Sequence, residues 1–198
     1  MNKRNVTKGK KKEALTAYFM LLPDVAGLLI FVFIPIIYAF FISLHSWNGL
    51  SEMEFIGVQN YLKMAKDSKF INSIMVTVKY ALMYVPSVFV LSLLLACLLN
   101  ALHGKLQSFF RTAFFLPYAI STVIAGIVWS FIYNPMNGFL NQLIALAGGE
   151  KQRFLASTTQ ALPSTVVVGV WLVLGYNTIL FLAAIKDIPY NYYEAAEI

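Results

Sequence analysis

Four stretches of the chain are nearly free of charge. No Asp, Glu, Lys or Arg occurs at 25–51, 80–104, 112–149 or 154–185, and Leu, Ile, Val and Phe fill these windows. A helix that crosses a membrane needs about 20 mostly apolar residues to cover roughly 30 Å of hydrocarbon. All four windows are long enough. The expected elements are spanning helices near Val25–Ser43, Ile74–Leu99, Thr112–Tyr133 and Ala161–Ile185, making an all-α polytopic transmembrane bundle.

Polar punctuation separates the spans. Trp47-Asn48-Gly49 and Asn134-Pro135-Met136-Asn137-Gly138 read as turns, and Gly148-Gly149 breaks the last connection. Lys79 lies near one end of the second span, where its long stem lets the ammonium reach the interface. Pro35, Pro86 and Pro117 fall inside spans, which predicts kinked helices whose freed carbonyls are satisfied by neighbours. Thr122, Gly126 and Ser130 form a small-residue stripe that predicts close helix packing. The first apolar stretch begins at Ala14 and is interrupted at Pro23-Asp24, far beyond the roughly 7–15 apolar residues of a signal peptide. An uncleaved span is expected there, with a short interfacial helix ahead of Pro23.

Composition agrees with this pattern. The chain is 59% hydrophobic and 12% charged, against about 25% charged in soluble domains. The net charge of +6 is unevenly placed: Lys3, Arg4, Lys8, Lys10, Lys11 and Lys12 precede the first span. Basic residues flanking a span favour the cytoplasmic side. Residues 1–13 are therefore expected as a basic cytoplasmic tail and 14–198 as the membrane domain. The loop 100–111 then falls on the inside, and 44–72 and 134–160 on the outside. This placement argues for a lipid-facing role of the basic residues and against a nucleic-acid partner.

Catalytic chemistry is absent from the pattern. Active sites need a nucleophile with a base, paired carboxylates or a metal cluster. The two histidines, His45 and His103, fall on opposite faces of the expected topology, and the lone Cys97 cannot supply a thiolate metal site. No G-x-x-x-x-G-K-[ST] run exists to cradle nucleotide phosphates. No catalytic residue, metal or cofactor is expected, and any ATP used is hydrolysed by another subunit.

Three motifs are more specific. Ile188-Pro189-Tyr190-Asn191-Tyr192-Tyr193-Glu194-Ala195-Ala196-Glu197-Ile198 resembles the start of the E-A-A loop of binding-protein-dependent ATP-binding-cassette importers. Phe110-Arg111-Thr112-Ala113-Phe114-Phe115-Leu116-Pro117 resembles that family's F-R-T-x-F-F-L-P. Phe55-Ile56-Gly57-Val58-Gln59-Asn60-Tyr61 is similar to its F-x-G-L-x-N-Y loop. The likeness covers nearly everything beyond the basic tail and is nearest to carbohydrate permeases of the maltose, lactose and glycerol-phosphate type. It implies a permease subunit of a sugar importer in the bacterial cytoplasmic membrane. The implied partners are a second permease, two ATP-hydrolysing subunits, an extracellular solute-binding protein and the sugar. It also implies that Tyr193, Glu194, Ala195 and Ala196 couple to the ATPase. The family pattern continues for about two more spans, so four spans of a six-span core, ending inside the coupling loop, are expected here.

A candidate solute contact lies on the fourth span. At 100° per residue, Gly169, Val173, Tyr176 and Leu180 share a face, with Asn177 about 80° to one side and Trp171 and Thr178 opposite. Sugars pair an apolar ring face with hydroxyls, so a phenol, a carboxamide and a gap suit them. Tyr176, Asn177 and Gly169 are the candidates, and the resemblance supports only Tyr176, whose counterpart in maltose-type permeases contacts sugar. The competing reading is a secondary transporter or channel, which favours ionisable residues within spans; Asp24 and Lys79 are the nearest to that description.

Overall fold

The computed structural model describes residues 3–189 together with 191 and 192, and side chains from Lys12 onward. The chain divides into two units, 1–71 and 72–198. Each is treated separately.

In the first unit a helix runs from Lys3 to Leu28 (α1), passes through a π turn at Leu29–Phe33 and continues as Ile34–Ser43 (α2). No separate interfacial helix precedes Pro23, which lies within α1. The π turn sits just ahead of Pro35. A proline ring clashes with the carbonyl four residues back and offers no N–H; a wider turn, closed by Ile34 N–H to the Leu29 carbonyl, accommodates both.

The motif 55–61 has a visible local cause. His45–Ser46 (β1) pairs antiparallel with Glu54–Phe55 (β2), and the His45 ring lies between Phe41 and Phe55. Gly57 takes φ +58°, a left-handed conformation that glycine adopts without strain. The helix Gln59–Lys66 (α3) follows. The Asn60 amide donates to the carbonyls of Ser43 and His45, both at 2.9 Å, and the Tyr61 and Ser43 hydroxyls meet at 2.6 Å. The first of these bonds occupies the last carbonyl of α2, which the helix end leaves without a helical partner.

The second unit holds most of Ser68–Ala101 (α4), Gly104–Phe115 (α5), Thr122–Ile132 (α6), Phe139–Leu146 (α7) and Ala161–Lys186 (α8). Ala96 and Leu99 of α4 pack against Leu182 of α8, with Phe110 and Phe114 of α5 closing over them. Gly175 permits the tightest approach: a Cβ there would collide with the backbone of Phe114 and Phe115. Ser92 reaches the Leu174 carbonyl at 3.4 Å. At one end, Gln107 donates to the Leu99 carbonyl at 2.6 Å and accepts from Lys186 at 3.2 Å.

The span expected at 112–133 is not one straight helix. A 3-10 turn at Leu116–Ala119 ends α5, Ile120 and Ser121 are extended, and the chain re-enters as α6 bent by 99°. Pro117 suits the first turn of a short helix, Ile120 is β-branched, and serine at the N-cap ends extended backbone. The stripe expected to pack does not do so within the chain. Thr122, Gly126 and Ser130 are exposed, while Ala125 and Tyr133 are buried. The connection 134–160 is built around Asn141, which is fully buried. Its amide donates to the carbonyls of Asn134, Pro135 and Gln152 and accepts from Gln152 N–H at 2.8 Å.

Among the described residues three helices, Lys12–Ser43, Ser68–Ala101 and Ala161–Lys186, are long and apolar enough to cross a membrane. The bent pair makes a fourth crossing if it is a single span.

Candidate functional site

The α8 helix carries the candidate residues. Tyr176 is 38% exposed, and its ring stacks on that of Tyr118, with centroids 4.6 Å apart and planes at 14°. Tyr118 comes from the 3-10 turn between α5 and α6, one residue past Pro117, and Phe115 leans on its ring at 5.5 Å. An offset stack of this kind is a favoured arrangement for aromatic quadrupoles.

Sequence reasoning missed Tyr118. The available signal was its place directly after the Leu116-Pro117 end of a recognised motif. Nothing in helical periodicity could bring it to Tyr176, because the backbone reverses between them.

Asn177 is half-buried, and its amide donates to the Val173 carbonyl one turn back at 3.0 Å. Gly169 sits one face-repeat before Tyr176. The room left by its missing side chain is taken by the Tyr80 hydroxyl, 2.7 Å from where a Cβ would stand, and by the Tyr84 ring. Those two rings stack on each other at 5.3 Å. Gly169 therefore acts in this structure as a point of close helix approach. On the opposite face Thr178 is fully buried, its hydroxyl bonded to the Leu174 carbonyl, and Trp171 meets Trp129 of α6 edge-on at 5.5 Å.

The coupling candidates Tyr193, Glu194, Ala195 and Ala196 lie outside the described residues. What leads to them is visible: α8 ends at Lys186, Asp187 N–H bonds back to the Ala183 carbonyl, and Tyr192 N–H reaches the Pro189 carbonyl at 3.1 Å. Among the described residues no group of three His, Cys, Asp or Glu side chains comes together. His45 bonds the Phe41 carbonyl at 2.8 Å.

These long apolar helices, with a bent helix pair among them and two stacked tyrosines beside the bend, define a multi-pass membrane protein. Comparison with known proteins narrows this further. The chain is 38% identical over 185 residues to the probable ABC transporter permease protein YurN of Bacillus subtilis, covering 91% of this chain and 63% of that protein. It is 32% identical over 197 residues to the trehalose/maltose transport system permease protein MalF of Thermococcus litoralis, covering 99% and 66%. A crystal structure of a bacterial ABC transporter involved in the import of the polysaccharide alginate aligns over 98% of this chain and 65% of that one. Its TM-score is 0.79 at 25% identity. No protein-family model matches. The chain belongs to the ABC transporter permease proteins. It spans somewhat under two thirds of the length of these relatives.

Proposed function

We propose that the protein of which this chain forms part is the membrane permease of an ATP-driven importer for a carbohydrate, delivered from outside by a solute-binding protein. The observation that carries this reading is Tyr176: half-exposed in an otherwise well-packed helix, its ring stacked and its side chain aimed away from the buried face of α8. Sugar recognition needs an aromatic surface with hydrogen-bonding groups beside it, and Asn177 lies next to it in the sequence.

The partners in this reading are a second permease subunit, two ATP-hydrolysing subunits, the binding protein and the bilayer. The MalF relative belongs to a trehalose/maltose transport system, and a solved alginate transporter is in complex with a pentasaccharide-bound periplasmic protein. Their solutes suggest a di- or oligosaccharide here. Residues 1–13, the loop 100–111 and Glu194 face the cytoplasm, where the basic residues of the tail agree with the positive-inside bias. Tyr193, Glu194, Ala195 and Ala196 belong to the segment that couples to the ATPase.

Two variants test the proposal in the assembled importer. Glu194→Lys places a positive charge in the coupling segment, and ATP hydrolysis should continue or fall without sugar uptake. Tyr176→Ala should reduce uptake with normal recovery of the complex. Parent-level uptake by both variants would remove the assignment. Cysteines introduced at Ser51 and Gln107 check the orientation, since an impermeant thiol reagent applied outside should reach only the first.

A further inference from the structure

We propose that Gln107 is a positioning residue for energy coupling, holding the end of α8 against α4 and α5 so that a pull on the coupling segment reaches all three. The proposal rests on the reading of residues 193–196 as the segment that couples to the ATPase.

The first reason is the place of the bridge that Gln107 makes. Lys186 is the last residue of α8, two positions before Ile188-Pro189, where the coupling motif opens. Gln107 stands in the first turn of α5, and Leu99 in the last turn of α4. The Gln107 amide donates to the Leu99 carbonyl at 2.6 Å, and its oxygen accepts from the Lys186 ammonium at 3.2 Å. One carboxamide spends its donor on α4 and its acceptor on α8. A lysine at a helix C-terminus commonly serves the last carbonyls of its own helix. This one reaches across to α5.

The second reason is what lies beneath the bridge. Ala96, Leu99 and Leu182 are buried together, with Phe110, Phe114 and Ile185 packed against them. Apolar packing is non-directional, so it holds these helices together without fixing how one slides along the next. A bridge of hydrogen bonds, with set lengths and angles, does fix it.

The third reason is where α5 leads. It is a helix of 12 residues, a rod about 18 Å long, and it runs from the bridge to the 3-10 turn and the bend. A movement of Lys186 is delivered through Gln107 to the first turn of α5, and along that rod to the bend beside Tyr176.

The test is a distance measurement in the assembled importer with its binding protein, in a Cys97→Ala background. Spin labels are attached at Lys105→Cys on α5 and Ala184→Cys on α8, and their separation is read without nucleotide and with ATP and vanadate. The parent and Lys186→Arg should each give one peak that keeps its position in both states. Gln107→Leu and Lys186→Met should match the parent without nucleotide and shift by about 2 Å or more with it, the scale of helix movements in switching proteins. A packing defect would move both states alike. The double variant should shift no further than the larger single one, since both remove the same bridge. If Gln107→Leu assembles poorly, Lys186→Met, on an exposed side chain, carries the test by itself. The inference is overturned by a parent peak that itself shifts as far, by single variants that keep the parent peak or move it equally in both states, or by a shift in only one of them. It falls alone where Glu194→Lys still separates hydrolysis from uptake. If adding Glu194→Lys to Gln107→Leu leaves the nucleotide-dependent shift in place, the pull does not come through residues 193–196, and the coupling reading falls as well.

Discussion

The first apolar helix and α8 read alike in the sequence and behave oppositely in the structure. Both are long, poor in charge and rich in Leu, Ile, Val and Phe. No residue of 12–43 is buried, whereas α8 buries Ser164, Val166, Val170, Gly175, Thr178 and Leu182. Hydropathy reports which segments leave water, because hydrocarbon and protein interior are equally acceptable to a leucine. It does not report which neighbour a segment finds. Small and hydroxyl-bearing residues do report it. They let backbones meet or satisfy their own hydrogen bonds within a helix, as Gly175 and Thr178 do in α8.

The contrast can be broken most sharply with glycine. Gly175→Val drives a branched side chain into the Phe114 carbonyl, which as backbone cannot yield, and should cost about 3 kcal/mol or more. Gly27→Val in α1 meets nothing within 4 Å and should be nearly neutral. Thermal unfolding of the detergent-solubilised protein should separate the two variants by many degrees. Equal losses would mean that α8 is no better packed than α1.

Leucine truncation sharpens the same point. Leu182 is 1% exposed, and Leu182→Ala should cost about 2 kcal/mol, the low end for a buried cavity because lipid is as apolar as the core. Asn141→Ala leaves several backbone groups of the 134–160 connection without partners and should cost about 1–2 kcal/mol. Its clearest sign should be faster proteolysis between Asn134 and Gln160. Phe31→Ala, on a side chain 79% exposed, should stay within about 0.5 kcal/mol.

The existence of the spans was legible because charge-free runs of sufficient length have no other economical fold. The break at 116–121 was not, although Pro117 marked a disturbance. The bend depends on Ile120 and Ser121 leaving helical geometry together, and hydropathy does not encode that. In α1 and α2 the reverse holds: Pro23 and Pro35 suggested an interruption, and a π turn preserves continuity instead. At the site, helical periodicity correctly set Thr178 and Trp171 on the packed face of α8 and Tyr176 off it. It could not supply Tyr118, nor show that Tyr80 and Tyr84 fill the space beside Gly169, since both depend on how separate helices meet.

The central claim is that Tyr176 borders a watery solute path while the first span does not. It is tested most directly by cysteine accessibility in the assembled importer, with the native Cys97→Ala replacement as background. Tyr176→Cys and Phe31→Cys would each be treated with a charged, water-soluble thiol reagent in membranes open on both sides. The account predicts that Cys at 176 reacts and that transported sugar slows the reaction, while Cys at 31 reacts only with a lipid-soluble reagent. A cysteine at 176 that stays inert to the charged reagent in both resting and ATP-driven complexes would contradict it.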